Sequence, residues 1–315
     1  MERTRQGWKH RLVKIWVLVN PRAGSGRSVA RGRAFIERVP EAEMVETAEA
    51  GGAVDIARRA AEAHVDVLVS VGGDGTLQQC VTGLCVDAQS VPRVPHTSLL
   101  ILPAGTGGDY RRTFSLSESV DHAVARLRQP DKREVDVGHI SYRLDGEPRA
   151  SAFINVLSFG LGGLTDRIVE KSPKWIGGKA TYLLAAARAT MVHQPSAVEL
   201  WIDGTLVETA PFSNVAICLG KYFGGGMKIA PDADPSDGWF DVVTMELGRM
   251  RTLGLSAHIY QGTHLKQPGV KSYQGRHIVA KAARAADCLI DADGEPMGSL
   301  PLSVQLMPRA VTLLT

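Results

Sequence analysis

Two glycine-rich loops, each directly after a short apolar run, carry the residues of this chain best suited to chemistry. Gly72-Gly73-Asp74-Gly75-Thr76 sets an acid and a hydroxyl inside a turn of glycines. Leu102-Pro103-Ala104-Gly105-Thr106-Gly107-Gly108-Asp109 repeats that combination. Glycines bring backbone N–H groups close to phosphate oxygens, and neighbouring carboxylates can hold hydrated Mg²⁺. Together the loops are equipment for a Mg²⁺-bound triphosphate. GGDGT alone reads as an ordinary helix start with Asp74 as a cap. A third loop, after Asn20-Pro21, has Gly24 and Gly26 and is a weaker signal. Pro21 and Arg27 break the Walker pattern there, and Val29 stands where the last glycine of GxGxxG belongs.

The elements that position these loops follow from apolar runs and breakers. Ile15–Val19, Val65–Val71 and Ser98–Leu102 read as buried strands. Helices are expected up to about Val39, over Val54–His64 and over Leu77–Val86. Alternating strands and helices with loops at the strand ends predict a parallel α/β sheet, whose ligand lies beyond the carboxyl ends of its strands. The pattern changes near Asp136. Strand-like runs then dominate: Ala152–Leu157, Ala197–Ile202, Ser213–Leu219, Phe240–Met245, Arg276–Ala280, Cys288–Ile290 and Leu302–Leu306. Asp145-Gly146 and Asp203-Gly204 are hairpin-type turns, and Lys179–Val192 is a helical insertion. The expected organisation is an α/β nucleotide-binding domain over 11–136 and a β-rich, antiparallel, sandwich-like substrate domain over 137–315, with the last strand free to return to the first domain.

Bulk properties narrow the function classes. The chain has 315 residues, 44% of them hydrophobic and 22% charged, which fits two folded domains. A formal charge of +3 does not indicate a nucleic-acid partner. The cysteines Cys80, Cys85, Cys218 and Cys288 show no CxxC spacing and read as free thiols of a reducing, cytoplasmic compartment. No run approaches the length of a membrane span, and the basic N-terminus lacks the features of a signal peptide.

The motifs taken in order place the chain in a family. NPRAGSG, GGDGT and LPAGTGGD are followed by Tyr222-Phe223-Gly224-Gly225-Gly226-Met227, and by Ala230-Pro231-Asp232-Ala233 with Asp237-Gly238. Gly262-Thr263-His264 and Asp293-Gly294-Glu295-Pro296 complete the series. From Lys14 to Leu314 the chain resembles the diacylglycerol kinase catalytic family, which includes sphingosine kinases, ceramide kinases and bacterial soluble lipid kinases. The resemblance implies ATP bound between an N-terminal α/β domain and a C-terminal β-sandwich. It implies nucleotide contacts from Asn20, Thr47, Gly72, Gly73, Asp74, Gly75, Thr76, Leu77, Gln78, Gly105 and Thr106. It makes Glu295 the general base on a lipid hydroxyl, with Asp74, Asp109 and Asp293 organising Mg²⁺. It implies a second, structural Mg²⁺ held by the Asp237 carboxylate and by backbone carbonyls of Asp234 and Trp239. The substrate would be a lipid met at a membrane surface by peripheral contact. A homodimer stays open.

Asp145-Gly146-Glu147-Pro148 repeats the catalytic tetrapeptide and is assigned to an ordinary turn. Gly108, Gln78, Gln79 and Leu219 stand where the family commonly has Asn or Glu. Arg111 and Arg112 could face phosphates or merely solvent, and the Leu183–Ala187 region could line an acyl channel or simply pack. His264 reads as a structural histidine. Two alternatives remain: a small-molecule kinase resembling NAD kinase, or a catalytically weak lipid- or nucleotide-binding protein.

Overall fold

The computed structural model describes residues 13–48, 51–105, 108–170, 178–284 and 288–315. The first domain alternates β1 (Ile15–Val19), α1 (Arg27–Arg38), β2 (Glu43–Glu46), α2 (Gly52–Glu62), β3 (Val67–Gly72), α3 (Asp74–Cys85), β4 (Ser98–Pro103), α4 (Asp109–Thr113) and α5 (Val120–Arg128). β3 and β4 are buried along their whole length, as expected of parallel strands covered by helices on both faces. The order β2-β1-β3-β4 is parallel throughout, with Val17 beside Val69 and Val69 beside Leu100. All three glycine loops therefore leave the carboxyl ends of adjacent strands.

The second domain contains β5 (Lys132–Leu144), β6 (Glu147–Phe153), β7 (Val156–Gly160), α6 (Leu161–Glu170), α7 (Gly178–Val192), β8 (Ala197–Ile202), β9 (Thr205–Pro211) and β10 (Asn214–Cys218). It continues with β11 (Tyr222–Phe223), β12 (Met227–Lys228), β13 (Phe240–Met245), α8 (Arg249–Gln261), β14 (Val270–Gly275), β15 (His277–Ala282), β16 (Leu289–Ala292) and β17 (Glu295–Leu314). Its pairings are antiparallel, giving a sandwich-like unit with its own apolar core.

β5 and β17 join the two units. They pair antiparallel along most of their length. Val135, Val137, Val311 and Leu313 belong to the core of the first domain, whereas Ile140, Leu302, Val304 and Leu306 belong to that of the second. At its end β17 lies parallel to β4, with Leu313 beside Leu99. A bulge near Arg309 separates the two halves of β17. Asp136, fully buried on β5, holds this crossing point. Its Oδ1 accepts the Arg309 N–H at 2.7 Å and its Oδ2 the Gly238 N–H at 2.8 Å.

The expected strand Ala152–Leu157 is in fact two strands, β6 and β7, because side-chain acceptance of the N–H groups of residues 154–156 interrupts the ladder. The run Leu302–Leu306 is only the middle of a 20-residue strand. β5, β14 and α8 were not foreseen. α8 is apolar on two sides, which hides its period.

Asp136→Ala would leave two backbone N–H groups at the crossing without their acceptor. The expected cost is about 3 kcal/mol, since hydrogen bonds to a buried charged group are the costly ones to lose. A lower denaturant midpoint at unchanged slope would show it; an unchanged midpoint would mean that β5 and β17 do not need this pin.

Candidate active site

β3 and β4 end side by side, so the loops after them touch. A Cβ on Gly105 would lie 2.5 Å from the Gly73 Cα, closer than any side chain tolerates. A cleft of about 470 Å³ opens above these loops, against the second domain. Asn20, Arg22, Gly73–Thr76, Gly105 and Asp109 form one wall; Asn155, Phe223–Gly225, Tyr260, Asp291 and Glu295 form the other, with Asp293 behind them. A larger hollow, about 920 Å³, lies beside Val13, His96 and Lys132. It sits at the amino ends of the parallel strands, away from the ligand side of such sheets, and no glycine loop lines it.

Asp74 opens α3 but caps the next helix. Its Oδ2 accepts the N–H groups of Gly108 at 2.7 Å and Asp109 at 3.1 Å, at the start of α4. Asp109 extends the chain of contacts to the second domain. Its Oδ2 accepts the Gly225 N–H at 2.8 Å, and its Oδ1 pairs with Arg112. Burial, and then the nearby Asp74, push the Asp109 carboxyl above its ordinary range. Gly108 has φ +69°, a conformation that asparagine also adopts readily, so the departure from the family's Asn preserves the turn.

Asp293-Gly294 forms the hairpin turn between β16 and β17, with φ +52° and +87°. Asp145-Gly146 forms the same kind of turn between β5 and β6, with φ +53° and +85°. The two tetrapeptides thus share a backbone and differ in surroundings. Asp145 and Glu147 are exposed. Asp293 is buried, and its carboxylate accepts the N–H groups of Ile154 at 2.9 Å, Asn155 at 3.0 Å and Val156 at 2.8 Å. Burial pushes its pKa up to about 7 against the pull of those three donors. Glu295, the next acid, reaches across the cleft. A Cβ on Gly75 would overlap its Oε1, so the GGDGT loop must be bare at that point.

The remaining expected site residues are spread more widely. Asn20 Nδ2 donates to Thr76 Oγ1 at 3.2 Å, both in the cleft wall. Gly72 ends β3. Thr47 is buried beyond the end of β2, its N–H donating to Val19 O at 3.0 Å, outside the cleft lining. Leu77 is core. Gln78 turns away from the cleft, its Nε2 donating to Ser151 Oγ at 3.0 Å and Ala152 O at 2.9 Å. Gln79 is half-buried on the same helix. Thr106 lies outside the described residues. Leu219 packs in the second core, so an apolar side chain suits its place. His264 is buried with Nε2 at 2.9 Å from Ile229 O.

The loop 234–239 is a compact turn. Asp234 Oδ1 accepts from Ser236 N and Oγ, and Asp237 Oδ1 from Trp239 N. Arg276 stacks over the Trp239 ring at 4.1 Å and donates to Gly238 O. Burial, then Asp234 and Asp136, raise the Asp237 pKa. Such crowding of oxygen donors suits a hard cation, as does the Asp74–Asp109 pair in the cleft. Among the described residues no three His, Cys, Asp or Glu side chains form a ready ligand set, so both sites would draw on water or backbone oxygens. Sequence reasoning overlooked Asn155 and Asp291, which line the cleft. An asparagine inside the apolar run FINVLSF was the available signal.

Residues 14–140 match the diacylglycerol kinase catalytic domain, and residues 155–315 match the YegS C-terminal NAD kinase beta sandwich-like domain. The chain belongs to the diacylglycerol kinase catalytic domain family, with a YegS-like C-terminal domain. It is 26% identical to a diacylglycerol kinase of Mycobacterium tuberculosis, covering 97% of this chain and 96% of that one. It is 28% identical to one from Staphylococcus saprophyticus, covering 83% and 80%. A solved structure of a candidate diacylglycerol kinase from Bacillus anthracis shares the fold with a TM-score of 0.75 at 22% identity, over 96% of each chain. Yeast NADH kinase complexed with NADH shares it more distantly, with a TM-score of 0.54 at 12% identity over 97% and 84%. Within the diacylglycerol kinase family, then, this member keeps the three loops and the DGE hairpin on one cleft.

Asp293 gives a pH test. Between its unfolded value of 3.8 and about 7 the folded protein holds a proton that the unfolded chain has released, so this group lowers stability as pH rises through that window. Asp293→Asn cannot titrate. Urea unfolding at about pH 5 and about pH 7 should show a smaller loss for the variant than for wild type; equal losses would mean that Asp293 is ionised throughout.

Proposed function

We propose that the chain is an ATP-dependent lipid kinase that transfers the γ-phosphoryl group to a hydroxyl of diacylglycerol or a related lipid. The observation that carries this is the meeting of Glu295 with Gly75 across the cleft. A carboxylate from the second domain stands against the glycine loop that would hold the triphosphate. The first turn of α3 opens on the same space, and its leading N–H groups are those a helix leaves without internal partners.

In this proposal Asn20, the 73–76 loop and Gly105 seat the nucleotide. Arg22, exposed in the same wall, adds positive charge beside the phosphates. Asp74 and Asp109 would hold Mg²⁺, which when bound would neutralise charge on the transferring group. Glu295 accepts the proton of the lipid hydroxyl as its oxygen bonds to phosphorus and ADP departs. Asp293 orients Glu295, since its own oxygens are engaged with backbone N–H groups. Val169, Phe223 and Tyr260 give the cleft an apolar end on the second-domain side, suited to a lipid rather than a second nucleotide. Among the described residues no helix is long and apolar enough to cross a membrane. In this proposal the enzyme meets its lipid substrate by peripheral contact at the cytoplasmic bilayer surface. The four buried cysteines suit a reducing compartment; burial pushes the Cys80 and Cys85 thiols up to about 12.

Labelled ATP offered with detergent-dispersed diacylglycerol, with a total lipid extract or with NAD separates the two kinase readings. Labelled phospholipid supports the proposal; label on NAD alone would replace it with a dinucleotide kinase. Binding of ATP without any labelled product would make it a binding protein.

Glu295→Gln keeps size and removes basicity. Turnover should fall by about 10²-fold with ATP affinity nearly intact. Glu147→Gln in the exposed copy should match wild type. The reverse pattern would move the base to the other hairpin.

A further inference from the structure

We infer that α7 and α8 together form the membrane-docking face, and that its partner is the surface of a bilayer containing anionic phospholipid. This rests on the lipid-kinase proposal and says where the protein would meet the membrane. The observation is a second apolar stripe on each helix. On α8, Leu255 and Ile259 are buried in the core, yet Met250, Leu253, Ala257 and Tyr260 recur at three- or four-residue spacing on the opposite, exposed side. Met250 is 79% exposed and Leu253 38%. On α7, Ala185 and Ala189 are buried while Leu184 and Met191 are exposed at 62% and 59%. The helices pack on each other, so the two stripes lie on neighbouring elements. A water-facing helix normally carries polar residues there, and a concentration of exposed apolar side chains marks an interaction surface.

Charge selects the partner. Neither helix contains an Asp or Glu, whereas Arg188, Arg249 and Arg251 are all exposed on them. Apolar side chains set among arginines, with no acids, match the interface of an anionic bilayer: aliphatic groups enter the acyl boundary and guanidinium groups meet phosphates. Position supports the same partner. Tyr260 ends the α8 stripe and also lines the cleft, so the docking face runs directly to the apolar end of the site.

The test uses the full chain and vesicles of phosphatidylcholine alone or mixed with phosphatidylglycerol. Wild type should sediment with the mixed vesicles and release as salt rises, because surface attraction is screened within about 10 Å at 0.1 M. Arg188→Gln/Arg251→Gln should bind at least tenfold more weakly, at about fivefold per arginine. Met250→Gln/Leu253→Gln should also lose binding, whatever the salt. All these positions are exposed and outside the cleft, so ATP turnover on detergent-dispersed diacylglycerol should stay at the wild-type rate. Unchanged vesicle binding in both variants overturns the inference, as does a loss of self-association by sedimentation velocity without loss of vesicle binding, which would make the face a contact between two copies. Failure of the kinase proposal reads out separately, as absence of turnover on dispersed lipid by wild type itself.

Discussion

The carboxylate of Asp293 is the interaction on which the site depends. A buried carboxylate is costly unless hydrogen bonds replace its water, and here three consecutive backbone N–H groups do so. The geometry this demands has consequences in both directions along the chain. Residues 154 and 155 cannot remain in a regular ladder, so β6 and β7 separate and Asn155 enters the cleft wall. The hairpin that carries Asp293 is fixed at its turn, and Glu295 leaves it towards Gly75.

Asp136 repeats the device at the other end of the shared strands. It too is a buried aspartate whose two oxygens accept backbone N–H groups from remote segments. One pin holds the DGE turn and the other holds the 234–239 loop and the bulge of β17. Between them, β5 and β17 run from one apolar core into the other. Two domains that merely touched would open easily; shared strands hold the glycine loops and the DGE hairpin in one frame.

Much of this was legible in the chain. The three glycine loops follow apolar runs at strand spacing, and a parallel sheet necessarily gathers such loops on one rim. The DGEP pair was not legible locally. Both copies adopt the same turn, and only tertiary burial separates Asp293 from Asp145. Gln78 illustrates a similar limit. The GGDGT motif ends within a helix, and helical rotation sends Gln78 into Ser151 and Ala152 while Gly75 faces the cleft. The long strands around residue 136 were hidden because charged residues at their exposed positions dilute the apolar alternation. α8 was hidden for the opposite reason, having apolar residues on both sides.

The central claim is that one active site is built jointly by the GGDGT loop and the DGE hairpin, in contact at Gly75 and Glu295. A double-mutant cycle measures that contact most directly. Turnover would be compared for wild type, Gly75→Ala, Glu295→Gln and the pair. A methyl group at position 75 collides with the Glu295 carboxylate, so Gly75→Ala alone should act chiefly by displacing Glu295. The account predicts strong non-additivity, with the pair little worse than Glu295→Gln alone. Two losses that simply multiply would contradict it, and the loop and the hairpin would then act independently.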